Sequence, residues 1–191
     1  MVHPNTERLT EYWRSRRNEA GLPARADIDP MAFHQLLPQT FIVGRTPQGQ
    51  YPFRLVGGMV ADLHQSDLRG RCLLDLWRAG DRWQLKSALE FARRRPEPVI
   101  VNADVLADGV PPLGMEILIA PLAGPTGEVD RFLGHMQPAA PLMRLMGRPA
   151  RALAIAAIAR TSSGISTAPP TDDGAEAPSL KLAAVDGRRI A

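Results

Sequence analysis

The sequence predicts an α+β fold in which an antiparallel sheet is flanked by helices. Two strand-like segments joined by turn residues come first, one long amphipathic helix follows, and three further strand-like segments come after it. Strand and helix patterns do not alternate along the chain, which excludes a doubly wound parallel sheet. An antiparallel sheet with its helices grouped together fits this order of elements.

The N-terminal segment "NTERLTEYWRSRR" has the pattern of a helix with a narrow apolar stripe. Leu9, Tyr12 and Trp13 form that stripe. A stripe this narrow needs a partner surface, either the sheet of the same chain or a second copy of the chain. We therefore treat these three residues as dimer-interface candidates.

The first pair of predicted strands is "TFIVGR" and "YPFRLVGG", joined by the turn-like "TPQGQ". Two strands separated by so short a turn predict an antiparallel hairpin. Before them, Asp29 is a good N-cap for a short helix that begins at Pro30 and stops before Pro38.

The middle of the chain predicts short helical turns followed by one long helix. The turns lie in "GMVADLHQSDLRGRCLLDLW", and the long helix in "DRWQLKSALEFARRR". Leu85, Ala88, Leu89 and Ala92 recur at helical spacing, and Asp81 is positioned to cap the helix.

Three strands are predicted next, in "PVIVNADVLA", "LGMEILIAPL" and "RFLGHMQP". After Pro141 the composition changes, and "LMRLMGRPARALAIAAIAR" predicts a helix broken near Pro149. The following stretch is rich in Ser, Gly and Pro and predicts a disordered linker. The final "LKLAAVDGRRIA" is either a segment that pairs with a sheet edge or a partner, or an unstructured tail. The expected divisions are an N-terminal helix and linker (1–28), a core (29–140) and a C-terminal helix with a tail (141–191).

The composition limits the classes of protein to which the chain can belong. The chain has 191 residues, a net charge of +3 and a single cysteine, so an internal disulfide is excluded. It contains no secretory signal pattern and no apolar run long enough to span a membrane. We expect a cytoplasmic protein without membrane contact. The excess of arginine indicates solvated surface, because no basic stripe interleaved with aromatic residues predicts nucleic-acid binding.

In its order of elements the chain resembles a PAS domain. It is similar to a small bacterial, mostly alphaproteobacterial, PAS-like family formerly catalogued as a domain of unknown function. The matching segments are "YWRSRRNEAGLPARADIDP", "LLPQTFIV", "FRLVGGMVADLHQSDLRGRCLLDLW", "MEILIAPL" and "RFLGHMQP", which together cover roughly residues 10 to 140. The resemblance implies a five-stranded antiparallel sheet, with a ligand pocket between sheet and helices, and a role in sensing or protein interaction. No output domain follows in the sequence, so such a module is expected to act through a partner or its own dimer.

The sequence gives little support for a bound cofactor. Cys72 follows a Gly-Arg pair, as the reactive cysteine of flavin-binding light sensors does, but its neighbours differ from theirs and Asn102 alone does not form a flavin site. A small buried hydrophobe is the better interpretation of Cys72. Haem-binding PAS domains usually hold the iron through a histidine on or near the long helix, and this helix has none. His34, His64 and His135 show no metal-ligand spacing.

Enzymatic chemistry has equally little support. The chain has no G-x-S-x-G motif and no phosphate-binding loop. Glu116, within an apolar strand, is either a buried carboxylate or a residue that faces solvent or pairs with Arg54. The interpretation as an enzyme would require Glu116 and His135 to act together.

We therefore predict a non-enzymatic, cytoplasmic sensory or regulatory module that forms a homodimer, with an unidentified signalling protein or a small molecule as a further partner. A PAS sensor with bound haem or flavin is the alternative, although we expect no cofactor. If a pocket is open, its predicted lining is Leu55, Met59, Leu63, Leu74, Trp77, Leu89, Ile117, Ile119 and Leu133. A closed core would use the same residues.

Overall fold

The computed structural model describes residues 2–18 and 21–160. The helices are α1 (Pro4–Ser15), α2 (Gly58–His64) and α3 (Arg82–Arg94). Short 3₁₀ segments span Arg25–Asp27, Pro30–Gln39, Leu73–Leu76, Ala79–Asp81 and Leu142–Leu145. The strands are β1 (Thr40–Gly44), β2 (Phe53–Val56), β3 (Val99–Leu106), β4 (Leu113–Ala123), β5 (Val129–Pro138) and β6 (Ala152–Arg160). Among the described residues, no helix is long and apolar enough to cross a bilayer.

The six strands form one antiparallel sheet in the order β2-β1-β5-β4-β3-β6. The predicted architecture and the first hairpin are confirmed. The predicted count of five strands is one short, because β6 adds to the edge of β3.

Strand β6 corrects the predicted C-terminal helix. The alanine-rich sequence favours a helix locally, but that preference is worth only tenths of a kcal/mol per residue. Pairing with β3 satisfies the backbone groups of β6 that face β3, and Leu153 is completely buried. The residues beyond 160, including the predicted linker and the final apolar segment, lie outside the described part of the chain.

The two faces of the sheet carry different helices. Successive residues of a strand alternate between faces, and the register places Val101, Ile117 and Met136 on one face, which we call the α3 face. Helix α3 lies over that face. The opposite face, which we call the α1 face, carries Leu118 and His135 and is covered by α1.

Two predicted N-caps have different outcomes. The Asp29 side chain accepts a hydrogen bond from the Met31 N–H at 2.9 Å, as expected of a cap. The 3₁₀ segment that it caps continues past Pro38 to Gln39. Asp81 stands at the N-cap position of α3 but does not cap it with its side chain. One of its carboxylate oxygens instead accepts a hydrogen bond from the Ile155 N–H of β6 at 2.9 Å.

Candidate functional site

The predicted pocket residues do not share one surface. In the register, Leu133 pairs with Ala120 and Leu55 pairs with Ile42, so both lie on the α1 face. Leu55 is 40% exposed there. Ile117 and Ile119 lie on the α3 face. The assignment of Leu55 and Leu133 to one pocket with Ile117 is therefore wrong, because strand alternation sends their side chains to the other side of the sheet.

The remaining candidates surround a closed core. Leu63, Leu74, Trp77, Leu89, Ile117 and Ile119 are all buried, and Met59 packs against them in part. The Phe41 ring lies directly over Gly134, where a Cβ atom would overlap it. Phe41 also contacts Phe53 edge-on at 5.5 Å between ring centroids. Aromatic side chains thus occupy the centre of the α3 face.

Cavities open at the periphery of this core. Grooves of about 350 to 640 Å³ lie between surface elements. Of the predicted pocket residues, Met59 lines one of these grooves, beside Gln39 and Pro141. The larger grooves are lined by residues that the sequence analysis did not select, at α3 and β6 and at the first turn of α1.

The apolar stripe of α1 packs on the sheet of its own chain. Leu9 and Trp13 are fully buried, and the Trp13 indole N–H donates a hydrogen bond to the Pro121 carbonyl at 2.7 Å. Tyr12 is partly buried against Phe33. The assignment of Leu9 and Trp13 to a dimer interface is corrected, because the sheet already fills the surface that they offer.

The first turn of α1 is held by polar contacts to the sheet. The backbone N–H of His3 donates to the Glu116 carboxylate at 3.0 Å, and the Asn5 amide donates to the Gln137 side chain at 3.0 Å. Glu116 therefore anchors α1 instead of pairing with Arg54, and its side chain is half-buried rather than fully buried. The sequence contains a signal for this contact, since Glu116 is the one acidic residue in an otherwise apolar strand.

A histidine without partners lies beneath this helix. His135 is fully buried on the α1 face, and neither of its ring nitrogens has a hydrogen-bond partner among the described residues. Burial lowers the pKa of His135 to about 4, and the nearby Gln137 side chain, which favours the protonated ring, does not offset this. The Thr6 hydroxyl, on the buried face of α1, also lacks a partner. The α1 contact therefore encloses polar atoms whose hydrogen bonds are unmet.

Cys72 and His64 have separate local contacts. Cys72 is half-buried, and its sulfur accepts a weak hydrogen bond from the Tyr51 N–H at 3.4 Å. Burial lowers the pKa of His64 to about 4. In the described part of the chain, no group of three or more His, Cys, Asp or Glu side chains is placed to hold a metal ion.

A partly buried network that the sequence analysis missed ties α3 to the first hairpin. The Tyr51 hydroxyl donates to the Glu90 carboxylate at 2.5 Å, and Arg45 and Arg93 pair with the same group at 2.8 and 2.9 Å. Burial alone would raise the pKa of Glu90, but these hydrogen bonds outweigh it and lower the pKa to about 2. The network fixes α3 against the first hairpin.

Comparison with known families and structures gives one broad match. A family model described as "PAS domain" matches residues 1–137, which end one residue before the end of β5. No curated protein matches.

Solved structures show weak similarity. The LOV protein of Rhodobacter sphaeroides is 15% identical, with 60% of this chain and 70% of that chain covered and a TM-score of 0.44. The blue-light photoreceptor Aureochrome1 LOV is 12% identical, with 62% and 88% covered and a TM-score of 0.45. A PAS domain from Colwellia psychrerythraea is 15% identical, with 58% and 97% covered and a TM-score of 0.43. Strand β6 lies beyond the segment that the family model matches.

Proposed function

Because the chain belongs to the PAS domain family, we propose that it is a non-enzymatic sensory or regulatory module that acts through protein contacts, with α1 as its movable element. The observation that carries the proposal is the His135 imidazole, which is enclosed beneath α1 and accepts or donates no hydrogen bond within the described part of the chain. A buried polar group that makes no hydrogen bond costs about 1 to 3 kcal/mol. This cost acts against the docked position of α1 and disappears when water reaches the imidazole.

Buried Leu9 and Trp13 hold α1 on the sheet, and polar contacts hold its first turn. Trp13 supplies the main apolar anchor, and Glu116 and Gln137 hold the first turn through partly buried hydrogen bonds. These contacts oppose the cost of burying His135 and Thr6. The free-energy difference between the docked and released positions is therefore smaller for α1 than for α3. The Glu90 network of α3 leaves no hydrogen bond of that carboxylate unmet.

Release of α1 would uncover an apolar surface on the sheet. The side chains on this face of β4 and β5 include Leu118, Ala120, Leu122 and Leu133, all buried in the docked state. A protein that binds this surface shifts the population towards the released state by its difference in affinity for the two states. Such a shift is the signal in our proposal. The proposal also places the protein in the cytoplasm.

The positions of Glu116 and His135 support a non-enzymatic role. The Glu116 carboxylate accepts the His3 N–H, and His135 is sealed beneath α1 without a hydrogen bond to Glu116. A general acid or base must lie within hydrogen-bond reach of the atom that it serves. A buried imidazole with a pKa near 4 and no access to solvent does not meet that requirement.

The alternative function is that of a sensor with bound haem or flavin. A group of this size can be tested for because it would have to displace side chains of the core. A cofactor between the sheet and α3 would have to displace Phe41 from its place over Gly134. We expect native mass spectrometry of the freshly purified full chain to give polypeptide masses without an adduct, and the absorption spectrum to end with the tryptophan band. A retained adduct or a visible band would contradict the proposal and favour a cofactor-bound sensor.

A further inference from the structure

The turn between β5 and β6 presents two large apolar side chains to solvent. It consists of the 3₁₀ segment Leu142–Leu145 followed by Met146, and it lies at the end of the sheet that also carries the turn between β3 and β4. Leu145 is buried and anchors the turn, whereas Met143 and Met146 are 80% and 76% exposed. The turn is therefore apolar on its outer side as well as on its inner side.

Hydrogen bonds to the end of α2 hold this turn in place. The Gln65 side chain, directly after α2, donates to the Gly147 carbonyl at 2.7 Å. The Ala150 N–H donates to the Leu63 carbonyl at 2.8 Å. The exposed methionines thus belong to a fixed turn, so a partner that binds them has little backbone to order.

Met146 has a backbone conformation that a methionine side chain disfavours. Its φ of 52° and ψ of 36° lie in the left-handed region, which costs free energy for residues other than glycine. Because the side chain is exposed, its burial does not offset that cost within the fold. Contact with a partner accounts for a large apolar residue at a position where glycine would suit the backbone better.

An apolar groove lies beside the turn. It has a volume of about 470 Å³, and its lining includes Pro111, Pro112, Leu113, Ala139, Ala140 and Arg144. The groove lined by Met59 and Gln39 shares Ala139 and Ala140 with it. Proline has no backbone N–H, so Pro111 and Pro112 offer no donors to an added strand. The groove is therefore suited to receive side chains rather than an extended peptide backbone.

Two arginines without ion-pair partners border this groove. Arg144 lines it, and the Arg148 guanidinium lies beside Gly109 in the turn between β3 and β4. Neither guanidinium forms an ion pair with a carboxylate in the described part of the chain. The acid of that turn, Asp108, already pairs with Arg151 at 2.7 Å. Positive charge thus stands unbalanced beside exposed apolar side chains.

We propose that this surface binds an acidic amphipathic helix of a partner protein. We call it the methionine surface and define it by Met143, Met146, Arg144, Arg148 and the groove. Apolar side chains of the helix would contact the methionines and enter the groove, a common mode of helix recognition. Methionine adapts its shape to such partners, and the two arginines favour acidic over basic segments.

Other occupants fit the methionine surface less well. A second copy of the chain placed on a two-fold axis here would bring identical arginines together. Two arginines attract an anionic lipid surface only weakly, and stable membrane attachment needs a further signal. Beyond residue 160, the acidic stretch "DDGAE" contains no large apolar residue and is soon followed by Pro178. It therefore lacks the combination of apolar and acidic residues that the surface requires.

The inference rests on the proposed function in that it names a partner of the module. It does not require α1 to move, because the methionine surface is exposed while α1 is docked. The two proposals can therefore be tested by separate measurements, cross-linking at the methionine surface and hydrogen exchange of α1.

The test is photo-cross-linking of the full chain in the cells that produce it, with benzoylphenylalanine in place of Met143. We expect a link to another protein, through a segment in which apolar residues recur at helical spacing beside acidic ones. Mass spectrometry of the linked peptide identifies that segment. Benzoylphenylalanine in place of Met31 is the matched control, since Met31 is 71% exposed on a different segment. It should not form this link.

Charge reversal tests the role of the arginines. Arg144→Glu combined with Arg148→Glu should lower the linked fraction at least about tenfold, because the acidic helix then meets like charges. Arg94→Glu is the control, since Arg94 is exposed in the last turn of α3. It should leave the linked fraction unchanged.

Met146→Gly keeps the test valid if the charge reversal disturbs folding. Glycine adopts the left-handed region readily, so this variant should unfold at no lower temperature than the wild type and still lower the linked fraction several-fold. The absence of a link would overturn the inference, as would a link that survives the charge reversal. A link to a second copy, to residues 161–191 of the same chain or to lipid would also overturn it. None of these results would bear on α1 release.

Discussion

Replacing Trp13 with alanine is expected to weaken the attachment of α1 by about 3 to 5 kcal/mol, the range found when a buried large aromatic side chain is removed. Trp13 is fully buried, its indole donates to Pro121, and the Arg17 guanidinium lies 5.1 Å from the ring centroid. The substitution removes all three contacts together. Urea unfolding and protection of the α1 amides both measure the loss.

Trp13→Phe separates the contribution of the buried ring from that of the indole hydrogen bond. It keeps most of the buried apolar surface and loses the indole N–H, so we expect a loss of only about 1 to 2 kcal/mol, although the Pro121 carbonyl is left unpaired. Glu7→Gln, on the exposed side of α1, is the control and should change stability by less than about 0.5 kcal/mol. A Trp13→Ala protein as stable as the control would contradict the docked position of α1.

Acidification is expected to destabilise the protein between about pH 6.5 and pH 4, because two histidines are buried in their neutral form. Burial lowers the pKa of both His135 and His64 to about 4, below the ordinary value of 6.5. As the pH falls through this range, the two histidines therefore bind protons in the unfolded chain but not in the folded chain. Each histidine should remove roughly 2 kcal/mol of stability between pH 7.5 and pH 5.

His135→Leu isolates the contribution of the histidine beneath α1. We expect about half of the acid-induced loss to disappear, and stability at pH 7.5 to be unchanged or higher because an unsatisfied polar group is removed. His34→Gln is the control, since His34 is exposed and its replacement should leave the pH dependence as it is. A wild type equally stable at pH 7.5 and pH 5 would show that the two imidazoles are not buried.

Patterns with local causes were predictable from the sequence. The first hairpin, the long helix and the three central strands follow from periodicity and turn residues, and they appear as expected. The cap at Asp29 also follows from residues adjacent to it. Each of these depends on contacts within a few positions of the chain.

Features that depend on distant partners were missed. Strand β6 forms because β3 offers an open edge, which overrides the helical preference of its alanines. Asp81 bonds to Ile155 rather than to its own helix, across 74 residues. The placement of Leu133 depends on the register between β4 and β5, which periodicity within one strand does not fix.

The most direct test of the proposed function is hydrogen exchange of the full chain at neutral pH. Segments that open separately exchange through openings smaller than global unfolding. We predict that amides of Pro4–Ser15 are protected at least roughly tenfold less than those of α3 and β4, and that Trp13→Ala lowers protection in α1 far more than in α3. If α1 exchanges only when α3 and β4 do, the helix is a fixed part of the core, and the proposal that its release carries the signal is wrong.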